Sequence, residues 1–261
     1  MHPTAAQLRN KFAQRQSVLG TFLLEFTGPA VVHCLADAGM DFALIDLEHG
    51  NQSTHDVETM IEAGLHAELA IFVRVPSVDR GLITRSLDAG AAGILVPAIR
   101  SMDQVHQVVE ATKYKPIGRR GVHLFRGHTR HRPVETEKFL EEANRDLFTM
   151  IQIELVDALA IVDEIAATEG VDGLYVGPGD LGVDLGVPGQ WGAPPIWEAI
   201  ERTANACQVH GKIMGCHYDF PEHVPKLAKS GVQMFGHYCD IALFKTAAAH
   251  ASDTFHEMLA L

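Results

Sequence analysis

Two carboxylates in the stretch Met150–Gly182 have the type and spacing to hold a hard divalent cation. Gln152 and Glu154 lie on one face of a strand at period two, and Asp180 closes the glycine turn Gly177-Pro178-Gly179-Asp180 after the next strand. A helix running apolar through Leu159, Ile161, Val162 and Ile165 separates the two strands. In a right-handed strand–helix–strand unit both strands point the same way, so Glu154 and Asp180 emerge at one end of a parallel sheet. Oxygen donors from neighbouring strand ends suit Mg²⁺ or Mn²⁺, and Co²⁺ also fits.

The elements that must position these groups repeat along the chain. Val18–Leu24, Asp41–Asp46, Leu69–Val75 and Gly93–Pro97 read as strands, each followed by a helical pattern. A further four strand–helix alternations follow the irregular segment Lys115–Pro133. The helices stop at Ala38-Gly39, Ala89-Gly90 and Ser230-Gly231, where glycine takes the left-handed C′ conformation. Eight alternations in 261 residues fit a single (β/α)₈ barrel domain over 1–261; a doubly wound open sheet is the alternative. In either fold the chemistry belongs at the carboxyl ends of the strands.

Reading off those ends gathers Asp46, Glu48 and His49 from the second strand, Arg74 from the third, and Gln152, Glu154 and Asp180 from the fifth and sixth. His217 and Asp219 follow the seventh strand, and His237 and Asp240 the eighth. Charged side chains converging on one barrel mouth point to a metal or catalytic site. The segment Gly177–Gly182 also matches G-x-G-x-x-G, but a loop is expected after it rather than the helix a dinucleotide site requires. Its glycines are read instead as exposing backbone N–H groups to a ligand carboxylate.

Formal charge is −12, which disfavours nucleic acid and anionic membranes as partners. No apolar run is long enough to span a bilayer, no secretory h-region opens the chain, and the four cysteines lack C-x-x-C spacing. A cytoplasmic protein with reduced thiols is expected. Within this acidic chain Lys115–Pro133 is strongly basic. It is either an electropositive rim at the mouth or a subunit-contact segment. Trp191 and Trp197 are expected to pack at a subunit boundary.

The segments Leu44–Gly50, Arg74–Pro76, Ser86–Ala91, Gly118–Val122, Gln152–Glu154 and Gly177–Leu181 together resemble the HpcH/HpaI aldolases, metal-dependent class II pyruvate aldolases. The resemblance implies a TIM barrel of the phosphoenolpyruvate/pyruvate-binding type. It implies that Glu154 and Asp180 bind the divalent metal, that Arg74 contacts the keto oxygen of pyruvate, and that Gln152 orients the oxoacid beside Gly179 and Asp180. His49, paired with Asp88, would manage the proton on the aldol oxygen, with Asp46 and Glu48 ordering water on the metal. It also implies a homo-oligomer, trimer or hexamer, with terminal helices exchanged between subunits.

The residues agree with that chemistry. Cleaving a 4-hydroxy-2-oxoacid to pyruvate, or an analogue such as hydroxypyruvate, and an aldehyde leaves an enolate that a Schiff-base lysine or a Lewis-acid metal can stabilise. None of the eight lysines falls at the carboxyl end of a strand, so the metal route is expected. His217 and His237 are read as pocket lining that meets substrate hydroxyls. The rivals are a citrate-lyase-like lyase acting on a CoA thioester, disfavoured by the short chain, and a catalytically silent oxoacid binder.

Overall fold

The computed structural model describes residues 2–259, so the expected domain's ends at Met1, Ala260 and Leu261 lie outside them. Its elements run α1 (Pro3–Ala13), β1 (Val18–Leu23), α2 (Pro29–Asp37), β2 (Phe42–Asp46), α3 (Thr54–Ala67), β3 (Ala70–Arg74), α4 (Arg80–Ala89), β4 (Gly93–Val96), α5 (Met102–Thr112) and α6 (Thr136–Asp146). There follow β5 (Phe148–Ile153), α7 (Val156–Ala160), α8 (Val162–Ala167), β6 (Gly173–Val176), α9 (Pro178–Asp184), α10 (Pro194–His210), β7 (Ile213–Tyr218), α11 (Val224–Ser230), β8 (Met234–Cys239) and α12 (Asp240–Leu259). The strands form one closed parallel barrel in sequence order, β1 pairing with β8. The fold is a (β/α)₈ TIM barrel, and the open-sheet alternative is excluded.

Closure follows from strands apolar on both faces, as a parallel sheet sheathed by helices requires. Every residue of β2, β3, β4, β5 and β6 is buried. The three expected glycine stops hold: Gly39, Gly90 and Gly231 have φ of 84°, 109° and 106°. Inside the barrel, Tyr175 lies across the axis against two glycines. A Cβ at Gly215 would come within 2.3 Å of its ring, and one at Gly236 within 1.9 Å of its hydroxyl.

Helix α1 has no counterpart in the sequence reading. Ala5, Leu8 and Phe12 form its buried face, with Phe12 edge-on to Phe148 at 5.9 Å and Arg9 over the Phe148 ring. It therefore plugs the amino end of the barrel. Beside it Asp172, just before β6, accepts from Arg9 at 2.5 Å and from the buried Lys113 at 2.7 Å, and also receives the Thr149 N–H. Asp172→Ala strands the Lys113 ammonium in the interior, and a loss of about 3–5 kcal/mol in urea unfolding is expected. An unchanged midpoint would show that the cluster is solvated.

Candidate active site

The register sets the most rigid part of the mouth. Asp46 and Arg74 are partners at the ends of β2 and β3. Arg74 Nε and Nη2 donate to the two Asp46 oxygens at 2.8 and 2.5 Å, and Nη1 lies 3.3 Å from Glu48. Burial opposes the guanidinium charge, but the Asp46 hydrogen bonds and charge outweigh it and raise the pKa. Three of the five N–H directions are committed, which leaves others for a ligand in the pocket.

Asp46 corrects one expectation. It is fully buried, and its oxygens are consumed by Arg74 and by the backbone N–H groups of Glu48 and His49. It is a clamp on Arg74 and on the following turn, fully buried and outside the cavity lining, and so not placed to order water on a metal. Glu48 stays half-buried beside Arg74, and burial raises its pKa. Asp46→Ala leaves the buried guanidinium with Glu48 alone, so a stability loss of about 2–4 kcal/mol is expected in chemical unfolding, and native-like stability would reject the clamp.

Further round the barrel β5 carries Gln152, and Glu154 follows its last residue. Glu154 is 4% exposed; its Oε1 accepts the Ala98 N–H at 2.6 Å and its Oε2 accepts from Gln152 Nε2. Burial, and behind it the Asp180 charge, raises the Glu154 pKa against the pull of these two bonds. Gln152 Oε1 is buried without a partner. Gly177 lies close against both, because a Cβ there would be 3.0 Å from Gln152 Nε2. Among the described residues no group of three His, Cys, Asp or Glu side chains is placed to hold a metal alone.

The segment after β6 is not the loop that the sequence suggested. Helix α9 opens at Pro178 inside the glycine motif and runs to Asp184. The absence of a helix therefore fails as the reason for setting aside the dinucleotide match. The closed eight-stranded barrel, which is not a doubly wound sheet, is the better reason. The Gly179 and Asp180 N–H groups fall in the first turn, where no intrahelical acceptor exists.

A cavity of about 370 Å³ is lined by His49, Arg74, Gln152, Gly179, Asp180 and His217 among others; Glu154, bonded to Gln152, is not part of that lining. Asp88 is not with them. It sits in the last turn of α4, at the barrel end opposite the mouth, where Arg120 binds it at 2.5 Å. No contact between His49 and Asp88 forms among the described residues of this chain; the nearest carboxylate to His49 is Glu48, at 3.9 Å. The basic segment follows Asp88 downward: His128 bonds the Asp88 carbonyl and Arg126 pairs with Glu58 on α3, so no residue of 115–133 lines the cavity. The reading of that segment as a rim is not met within one chain.

His237 is a further correction. It stacks between Tyr218 at 4.6 Å and Tyr238 at 4.1 Å outside the cavity. The β1–β8 register shifts between Gly20 and Phe22, and Tyr238 turns at φ 53°. Tyr238 and Cys239 take the lining positions instead. Asp240 is spent on the backbone, accepting the N–H groups of Leu24, Glu25 and Phe26. Trp191, expected at a subunit boundary, lines the cavity with its ring 5.9 Å from that of His217. Trp197 is in the core beneath Lys226. Phe22, Tyr175 and Tyr238 were not singled out in the sequence, since aromatic residues in apolar strands are indistinguishable from core. No lysine lines the cavity.

The model of the HpcH/HpaI aldolase/citrate lyase family matches residues 20–244. A 5-keto-4-deoxy-D-glucarate aldolase of Escherichia coli (strain CFT073) is 31% identical over 253 residues, covering 94% of this chain and 96% of that one. The crystal structure of an HpcH/HpaI aldolase from Desulfitobacterium hafniense DCB-2 superposes with a TM-score of 0.90 at 32% identity, covering 96% of both chains. That of the citrate synthase SbnG gives 0.86 at 26% identity, covering 97% of this chain and 99% of that one.

Proposed function

From the premise that the chain belongs to the HpcH/HpaI aldolase/citrate lyase family and is a carbon–carbon lyase of the aldehyde-lyase type, we propose a divalent-metal-dependent aldolase. It reversibly cleaves a 4-hydroxy-2-oxoacid to pyruvate, or a close analogue, and an aldehyde. The observation that carries this is the buried Glu154 carboxylate, held at both oxygens and within the electrostatic reach of Asp180, bonded to the Gln152 that lines one cavity with Arg74 and Asp180.

The donor set fits a hard cation. Glu154 and Asp180 offer carboxylate oxygens, Gln152 Oε1 is an unpartnered amide oxygen, and no sulfur or imidazole competes on that wall. Glu154 and Asp180 would hold Mg²⁺, Mn²⁺ or Co²⁺, the remaining positions falling to water and substrate. When bound, such a cation supplies Lewis-acid polarisation of the ketone. Arg74, fixed by Asp46, directs its remaining N–H groups at the developing enolate oxygen, a preorganised donor that needs no reorientation as charge builds. The Gly179 and Asp180 N–H groups receive the oxoacid carboxylate, and Gln152 orients it. As the C3–C4 bond breaks, its electron pair passes into the enolate and the 4-hydroxyl proton leaves to a base. His49, exposed at the cavity edge, is the proton carrier we assign.

The test is pyruvate release from a 4-hydroxy-2-oxoacid, measured before EDTA, after it, and after Mg²⁺ or Mn²⁺ is restored. Loss and recovery are expected; activity indifferent to EDTA would reject the metal. Because no lysine reaches the cavity, borohydride with pyruvate should leave the protein unlabelled, and a labelled lysine peptide would replace this mechanism with a covalent one.

Helix α12 supports a homo-oligomer. No described residue after Asp240 is buried, and Phe244, Phe255 and Met258 are 59%, 58% and 72% exposed. Beyond the contact of Phe244 with Phe26 its apolar side chains face outward, and such a helix is suited to exchange with a neighbour. Phe255→Glu with Met258→Glu should yield monomers on sizing, and an unchanged elution volume would remove α12 from the interface. None of the helices among the described residues is long and apolar enough to cross a membrane, which accords with a cytoplasmic enzyme.

A further inference from the structure

The cavity has two walls of different chemistry. Arg74 at the end of β3, Gln152 on β5 and Asp180 in the first turn of α9 form the part assigned to the oxoacid. The remainder is built on β7, β8 and β1, where His217 and Asp219 are hydrogen-bonded at 3.1 Å, His217 Nε2 to Asp219 Oδ1. Asp219 keeps about a third of its side chain exposed. Trp191 and Phe22 hold the imidazole from two sides, their ring centroids 5.9 and 5.2 Å from it.

Beneath this wall two polar atoms are buried without partners, Tyr175 Oη and His217 Nδ1. Both border the space left by Gly236: a Cβ there would lie 1.9 Å from the first and 3.4 Å from the second. Burial holds the Tyr175 phenol protonated, its pKa raised well above the usual value, so it remains a donor. Buried polar atoms without partners are costly and call for water or a ligand group. The wall also lacks a cation. Arg74 is the only lysine or arginine in the lining, and Asp46 and Glu48 already hold it.

We propose that the β7–β8–β1 wall is the aldehyde subsite and that it selects an uncharged, hydroxylated aldehyde over one bearing a carboxylate. Asp219, oriented by His217, receives the hydroxyl groups, the unpartnered Tyr175 hydroxyl serves the same end, and Trp191 packs against the carbon skeleton. A carboxylate placed there meets Asp219 with no lysine or arginine on that wall to balance it, and exclusion by a like charge is a strong route to specificity. The inference rests on the aldolase reading, naming the substrate class for the same cavity.

The experiment is condensation of pyruvate, with Mn²⁺ added, on three aldehydes: glyceraldehyde, succinic semialdehyde and butanal. For the wild-type protein kcat/KM for glyceraldehyde should exceed that for each of the others by at least about tenfold. In Asp219→Asn the ratio of glyceraldehyde to succinic semialdehyde should fall by about tenfold or more, and in Tyr175→Phe the ratio of glyceraldehyde to butanal should fall. A ratio of two substrates on one sample cancels the folded fraction, so poor folding of a variant does not imitate the result. Equal or inverted preference in the wild type, or a ratio unchanged in Asp219→Asn, overturns the subsite. Exchange of the pyruvate methyl protons with deuterated water, followed by NMR without any aldehyde, reports the oxoacid wall separately. Exchange without hydroxyl preference overturns the subsite alone, whereas absence of exchange in the wild type overturns the aldolase reading beneath it.

Discussion

Arg74→Lys is expected to lower kcat for 4-hydroxy-2-oxoacid cleavage by about 10²–10³-fold, the effect of losing one preorganised donor at a developing oxyanion. The charge survives this substitution, so the expected loss is geometric. A guanidinium grips Asp46 with Nε and Nη2 while presenting further N–H groups to the cavity, whereas an ammonium cannot serve both in one plane. Arg74→Ala should cost more, because the fully buried Asp46 carboxylate is then left unpaired. The lysine variant separates catalysis from folding. Its metal content and circular dichroism should match wild type while turnover collapses. Wild-type turnover in Arg74→Lys would show that only the charge is used, and wild-type turnover in Arg74→Ala that neither is.

The same pair shows what a sequence can and cannot reveal. That β2 ends at Asp46, and β3 within one residue of Arg74, was legible from hydrophobic periodicity, since strands apolar on both faces announce where they stop. That the two residues spend their charges on each other was not, because it depends on register: they are partners across the β2–β3 ladder. Asp88 repeats the lesson. Its segment was recognisable, yet the direction of α4 carries it to the far end of the barrel and into the grip of Arg120. His237 failed for a local reason, a shift of register in the last strand pair that a two-residue alternation cannot anticipate. Helix α1 was readable and missed: Ala5, Leu8 and Phe12 recur at helical spacing after a proline suited to a first turn. Tyr175 had no signal at all, since its ring is accommodated by glycines on two other strands.

Glu154→Gln is expected to abolish metal binding while making the metal-free protein more stable at neutral pH. The folded protein raises the Glu154 pKa above the ordinary carboxylate value of 4.5, burial being the main cause. A carboxyl whose folded pKa is raised contributes stability fully below the unfolded pKa and loses it as pH rises through the folded value. Above that folded value the metal-free wild type therefore carries an ionised, buried group at a cost. A glutamine removes the charge and keeps the bonds: its amide oxygen still accepts the Ala98 N–H. Its amide nitrogen meets Gln152, which can turn to present the oxygen now lacking a partner. In EDTA the variant should melt several degrees above wild type at pH 8 and level with it near pH 4. With metal at a hundred times its dissociation constant the order should reverse, since binding stabilises wild type alone by about 2.7 kcal/mol. Retained metal by elemental analysis would remove Glu154 from the ligand set. A metal-free variant no more stable than wild type at pH 8 would show that its carboxylate is already neutralised by the protein, and that the cavity was not built to receive a cation.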